Sequence, residues 1–370
     1  MKIANRIQNL GTETAFAVSA EAAAFAARGN KVYPFHLGDM NILTPANVME
    51  AAVKAMKDGK TGYCPNAGIP ELREILADDV SASRGISYSM ENVAIQPGGK
   101  PTIGKFILAL MNPGDEVLYP NPGYPIYESQ IEFNGGVAVP YSYLEGKDNF
   151  EIDLEMLAAK ITPKTRLLIL NDLQNPTGAE CSVQELEKLA ELVWQHNLLV
   201  LSDEAYFDIR YEGKSKSFAS LPDMAERCII LYTFSKKFAM TGWRLGATIG
   251  PKEIIDVIIK LNVNEESCSN HFVQYAAIEG LTGDQTQGFR GEWSGLRSLS
   301  SGRVPIPGAW DFAIPVAFAM SFLAARNLTR SSIPAQIAYV LVRALMNFTR
   351  AVEPLVWALH CRATSHWSPA

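Results

Sequence analysis

Apolar positions in residues 1–285 alternate between helical spacing and short unbroken runs. Residues 14–28, TAFAVSAEAAAFAAR, are alanine-rich and predict a helix, with Gly29-Asn30 as its stop. Pro45 to Lys60 places Val48, Ala51, Ala52 and Met56 on one face and predicts a second helix. Pro70 to Arg84 predicts a third, with Leu72, Ile75, Leu76 and Val80 inward. Strands are then expected at 92–96, 116–119, 137–141, 166–171, 198–202, 228–233 and 245–249. Between them, helices are expected at 100–111, 125–134, 154–161 and 183–196. This alternation predicts an open α/β sheet, mostly parallel, with helices on both faces. Such sheets bind ligands where strands end and loops begin.

The expected loops carry the polar and reactive groups. Gly98-Gly99-Lys100 lies between a strand and a helix, and Asn121-Pro122-Gly123-Tyr124 follows the next strand. Asn175-Pro176-Thr177-Gly178, Asp203-Glu204-Ala205-Tyr206 and Thr233-Phe234-Ser235-Lys236 follow three later strands. A glycine pair opening a helix lets backbone amides and the helix dipole approach a phosphate.

Composition narrows the classes of function. A chain of 370 residues, 48% hydrophobic and 19% charged, is an ordinary globular protein with room for two domains. Its net charge of −6, with no basic run interleaved with aromatics, argues against nucleic acid as a partner. Residues 1–30 hold no apolar signal-peptide core, so a cytoplasmic location is expected. Five scattered cysteines form no CxxC pair, which argues against a metal site or a disulfide framework.

In chain order, YCPNAGIPELR (63–73), Gly98 to Lys100, Tyr124, Asn175 to Gly178, Asp203 to Tyr206 and TFSKKFAMTGWRLG (233–246) resemble one family. The chain is similar to class I aminotransferases of fold type I, the aspartate aminotransferase-like superfamily of class I/II pyridoxal 5′-phosphate (PLP) enzymes. The resemblance spans residues 5–285. Its last motif is the most specific: a lysine preceded by hydroxyls and followed eight residues on by an arginine.

The resemblance implies an aminotransferase that moves an amino group from an amino acid to a 2-oxo acid. Lys236 would hold PLP as a Schiff base and then act as general base. Adjacent Lys237 is expected at the surface. Asp203 would keep a proton on the pyridine nitrogen. Asn175 and Tyr206 would bind the ring hydroxyl, and Tyr124 would stack on the ring. Gly98, Gly99, Lys100, Thr233, Ser235 and Arg244 would hold the phosphate. Gly38 and Asn175 would line the substrate. A homodimer is implied, with Tyr63 reaching the neighbouring subunit's phosphate. Lys100 faces either the pocket, favouring an acidic substrate such as aspartate, or solvent.

The resemblance divides the chain into an arm and helix (1–45), a large PLP-binding domain (46–285) and an atypical tail (286–370). The tail has eight arginines, no lysine and three acids, whereas residues 1–285 hold seventeen lysines and eight arginines. Four of the six tryptophans lie in it. It shows no family pattern, as a shifted reading frame would produce, and no arginine for the substrate carboxylate can be placed among Arg290, Arg297, Arg303, Arg326, Arg330, Arg343, Arg350 and Arg362. Val304 to Ala325 is apolar, but Asp311 and three prolines argue against a membrane span. Ala335 to Thr349 is a candidate amphipathic helix. The expectation is therefore a loosely packed tail and a poor transaminase. Two alternatives stay open: another fold type I activity, such as a C–S lyase or decarboxylase, and a PLP-binding protein without turnover.

Overall fold

A seven-stranded sheet organises the computed structural model, which describes residues 2–11, 14–33, 38, 42–146, 149–210 and 213–283. In chain order, α1 is Thr14–Ala26, α2 Ala46–Lys57, α3 Pro70–Arg84, β1 Val93–Gln96 and α4 Lys100–Leu110. Then come β2 Glu116–Pro120, α5 Ile126–Phe133, β3 Val137–Tyr141, β4 Tyr143–Glu145, β5 Phe150–Ile152 and α6 Leu154–Ala159. They are followed by β6 Thr165–Asn171, α7 Val183–Gln195, β7 Leu199–Asp203, β8 Cys228–Thr233 and the one-turn α8 Phe234–Lys237. The described part ends with β9 Gly246–Ile249, α9 Lys252–Glu265 and α10 His271–Thr282.

The strand order is β1-β9-β8-β7-β6-β2-β3. The pairs β8–β7, β7–β6, β6–β2 and β2–β3 are parallel, and β9 runs antiparallel to both neighbours. The mostly parallel sheet expected from sequence is therefore present, with one reversed strand. β4 and β5 form a separate hairpin, which the sequence pattern had not suggested because each strand is only three residues long.

Central strands β6, β7 and β8 are buried apart from Arg166 and Leu199 near the starts of β6 and β7, as parallel strands covered on both faces should be. One apolar layer joins the sheet to α2, α3, α7 and α10 through residues such as Leu72, Leu76, Leu189 and Ala277. The opposite layer packs α4 and α5 through Ile103, Phe106, Tyr127 and Ile131. α3 shows why the local sequence folds as it does. Pro70 opens it, its apolar stripe is buried, and Gly85 closes it in the left-handed region at φ 73°.

This topology brings the C-terminal ends of β1, β2, β6, β7 and β8 to one edge. Because β9 is reversed, its beginning lies at the same edge, with Gly246 paired to both Gln96 and Thr233. That reversal carries Arg244 to the loops after β1 and β8. The expected tail (286–370) lies outside the described residues. Among the described residues no helix is long and apolar enough to cross a membrane.

Candidate active site

A cavity of about 600 Å³ opens at this edge. Its lining includes Gly38, Gly99, Lys100, Tyr124, Asn175, Asp203, Tyr206, Thr233, Ser235, Lys236 and Arg244. The structure thus gathers residues from six loops that the sequence places up to 206 positions apart, Gly38 to Arg244.

Gly98 stands immediately behind this lining. Its φ is +105°, and a Cβ built there would lie 2.2 Å from Arg244 Nη2. Only a glycine lets the guanidinium lie against the backbone at the head of α4. Arg244 is itself left-handed at φ 55°, and its Nη1 donates to Thr241 O at 2.8 Å. Thr233 Oγ1 donates to Ser235 Oγ at 2.9 Å and accepts from the Ser235 amide at 3.2 Å. Two hydroxyls, a guanidinium and the N-terminus of an 11-residue helix thus converge, a donor set suited to a phosphate.

Asp203 ends β7 and is buried. Its Oδ2 accepts a 2.6 Å hydrogen bond from Tyr127 Oη, and its Oδ1 accepts from the Ala205 amide at 3.1 Å. Among the described residues no cation pairs with it. Burial pushes its pKa up to about 6, against the lowering effect of the two donors. A buried carboxylate with neutral partners is chemically ready for a cation brought by a ligand.

Lys236 Nζ donates to Gly38 O and lies 6.0 Å from the Tyr206 ring centroid. Lys100 Nζ is 5.7 Å from the Tyr124 ring centroid; the residue is exposed and stands at the rim of the pocket. Tyr124 packs edge-on against Tyr127, with centroids 5.7 Å apart. Asn171 was not anticipated. It accepts from the Asn175 amide at 2.9 Å and donates to Asp203 O at 3.0 Å, tying the loops after β6 and β7 together. Tyr127 was also missed, although it lies one helical turn beyond Tyr124. Tyr63 is not brought to this pocket and is 88% exposed.

Lys237 corrects the expectation of a surface lysine. Its side chain is only 13% exposed, and Nζ lies 3.5 Å from both Asp79 Oδ2 and Asp208 Oδ2. The one-turn helix α8 is flanked by protein on both sides, so residues 236 and 237 point into different polar environments.

The pocket fits PLP on its own geometry: a phosphate-type donor set at Gly98 and Arg244, a cation-less buried carboxylate at Asp203, and a primary amine at Lys236. Comparison with known proteins points the same way. Residues 31–294 match the family described as aminotransferase class I and II. The chain belongs to that family, and it is an aminotransferase by that membership. Class I and II aminotransferases generally depend on PLP.

Two curated relatives illustrate the likeness. The chain is 34% identical over 292 residues to a probable aspartate/prephenate aminotransferase of Aquifex aeolicus, covering 78% of this chain and 74% of the relative. It is 35% identical over 289 residues to an aspartate aminotransferase of Geobacillus stearothermophilus, covering 77% and 73%. Among solved structures, the aspartate aminotransferase of Thermus thermophilus with maleate aligns at a TM-score of 0.76 and 34% identity, over 80% of this chain and 77% of that one. An alanine aminotransferase from Pyrococcus furiosus aligns at 0.74 and 29% over the same shares.

Proposed function

We propose that this chain binds PLP covalently through Lys236 and uses it to move an amino group between an amino acid and a 2-oxo acid. The observation that carries this reading is the meeting of Lys236, the buried carboxylate Asp203 and the Gly98–Arg244 contact at one pocket. When bound, PLP supplies an electron sink for the charge left at the substrate's Cα. Arg244, Thr233, Ser235 and the amides at Gly98-Gly99 bind its phosphate. Asp203 holds a proton on the ring nitrogen, and Tyr127 holds Asp203. Asn175 and Tyr206 hydrogen-bond the ring hydroxyl, while Tyr124 covers a ring face. Lys236 Nζ would hold the cofactor and would serve as the base for the substrate's Cα proton.

Lys100 at the pocket favours an amino donor with a side-chain carboxylate, such as aspartate. The names of several relatives, and the dicarboxylate maleate held by the T. thermophilus enzyme, support that choice. The pocket lining carries one arginine among the described residues, Arg244, and it belongs to the phosphate cradle. Asn175 and Gly38 then remain to orient the substrate carboxylate. This is a weaker hold than a bidentate arginine and favours slow turnover. The eight tail arginines lie outside the described residues.

The exposed Tyr63 side chain supports a homodimer in which it enters the neighbouring subunit's site. Sedimentation of the cofactor-loaded chain should give a dimer; a folded, active monomer would rule this arrangement out.

The covalent assignment is tested by borohydride reduction of the PLP-loaded chain followed by peptide mapping. The pyridoxyl group is expected on Lys236, and a label on Lys237 would defeat the assignment. Release of ammonia or carbon dioxide from the amino acid, in place of a 2-oxo acid, would instead indicate a lyase or decarboxylase.

A further inference from the structure

Behind the pocket lies a second charged cluster that the reaction does not use. Arg84, the last residue of α3, has a fully buried side chain. Its Nε donates to Glu204 Oε2 at 3.0 Å, and its Nη2 lies 4.0 Å from Asp208 Oδ2. The guanidinium carbon sits 3.9 Å from the Phe207 ring centroid and 5.6 Å from that of Tyr232. Glu204 Oε1 accepts from the Ser202 and Ser217 hydroxyls. Burial acts to lower the Arg84 pKa, but the Glu204 and Asp208 carboxylates outweigh it, so the guanidinium stays charged.

The arrangement matches the pocket residue for residue. Glu204 directly follows Asp203, and Lys237 directly follows Lys236. Consecutive residues at a strand end point to opposite sides, so whatever fixes Glu204 also fixes the aim of Asp203. Asp208 lies 3.5 Å from Lys237 and 4.0 Å from Arg84, joining the two halves of the cluster. Asp79, five residues before Arg84 on α3, takes the other side of Lys237. α3 therefore grips the neighbour of each pocket residue from behind.

A buried ion pair is a poor source of stability, because desolvation offsets most of its attraction. Its directional hydrogen bonds are better suited to holding geometry. We propose that Arg84 is a positioning residue of the cofactor site, setting the aim of Asp203 through Glu204 and that of Lys236 through Asp208 and Lys237. This rests on the reading that Asp203 and Lys236 serve PLP.

The test uses the full chain loaded with PLP and needs no turnover. Two variants are compared with the parent: Arg84→Lys, and Arg84→Met combined with Glu204→Gln. The double change removes both buried charges and keeps an acceptor for the two serines, so it avoids stranding Glu204. The readouts are the site of borohydride labelling, the pH midpoint of the cofactor's visible absorbance change, and the PLP dissociation constant. All three proteins should be labelled on Lys236. The double variant should shift the midpoint by about half a unit or more and weaken PLP binding about tenfold. Arg84→Lys keeps the charge but loses the guanidinium fork, and should fall between it and the parent. A role confined to stability would lower the melting temperature and leave the midpoint in place. A parent-like midpoint and affinity in the folded double variant, or in Arg84→Lys should that alone fold, overturns the proposal. Absence of label on Lys236 in the parent would instead defeat the cofactor reading beneath it.

Discussion

Asp203 and Glu204 are adjacent, and each is buried to a similar depth, 5% and 6% exposed. Their surroundings are opposite. Glu204 faces Arg84 and two serine hydroxyls in a cluster sealed behind the sheet edge. Asp203 faces a tyrosine, a backbone amide and an open pocket. Among the described residues, one carboxylate has a cation and the other has none. A buried charge without a counter-ion is costly. The cost makes sense where the counter-ion arrives with a ligand, and the pyridine nitrogen of PLP is such a partner.

The comparison breaks most visibly if Asp203 is neutralised. Asp203→Asn should slow amino-acid-driven conversion of the bound cofactor to pyridoxamine phosphate on the order of 10³-fold or more. A near-parent rate in single-turnover absorbance measurements would remove Asp203 from its role. The matching change next door should act on folding instead. Glu204→Ala leaves the buried Arg84 guanidinium with only the 4.0 Å contact to Asp208 and should destabilise the chain by about 3–5 kcal/mol in urea unfolding. A loss below about 1 kcal/mol would show that Arg84 finds another partner.

Stability should respond to Asp203→Asn in the opposite sense. The Asp203 carboxyl holds its proton up to about pH 6 when folded, against 3.8 for the ordinary group. Between those values the native state binds more protons than the unfolded chain, so stability falls as pH rises through the window. Fully above it, the cost is about 3 kcal/mol. Cofactor-free Asp203→Asn should therefore be more stable than the parent at pH 7 by up to about 3 kcal/mol, with the gain vanishing near pH 4. Asp172, pushed by burial to about 6 as well, keeps part of the slope in the variant. An unchanged stability difference from pH 4 to pH 8 would contradict the assignment.

Smaller effects sharpen the picture. Gly98→Ala places a methyl against Arg244 and demands φ near +105°, so it should weaken PLP binding about tenfold or more. Binding at parent affinity would show that the guanidinium can move without loss. Tyr127→Phe removes one donor from Asp203. It should raise the Asp203 pKa further and cost about 1 kcal/mol of cofactor affinity at pH 7; equal affinity would show that Tyr127 only packs.

Most strand positions were legible because apolar runs there end in polar loops, and the pocket residues were legible as motifs in those loops. α9 and α10 were overlooked although Ile255, Ile258 and Asn262 keep a helical spacing. Lys237 was misread because its partners, Asp79 and Asp208, come from elements distant in the chain. The Arg84–Glu204 pair spans 120 positions and leaves no local pattern. Tyr127 reads as an ordinary helix aromatic until its hydroxyl is seen on Asp203. Local spacing thus reveals which residues enter the pocket, whereas the contacts that aim them are long-range.

Asp203, which has no cation partner among the described residues, is thereby left to serve the ring nitrogen of PLP. The most direct test compares binding of PLP with that of an analogue in which this nitrogen is replaced by CH. The parent chain should bind PLP at least about tenfold more tightly than the analogue. Asp203→Asn should lose most of that preference, because its neutral amide no longer distinguishes a charged ring from an uncharged one. Equal affinities of the parent chain for both molecules would contradict the account.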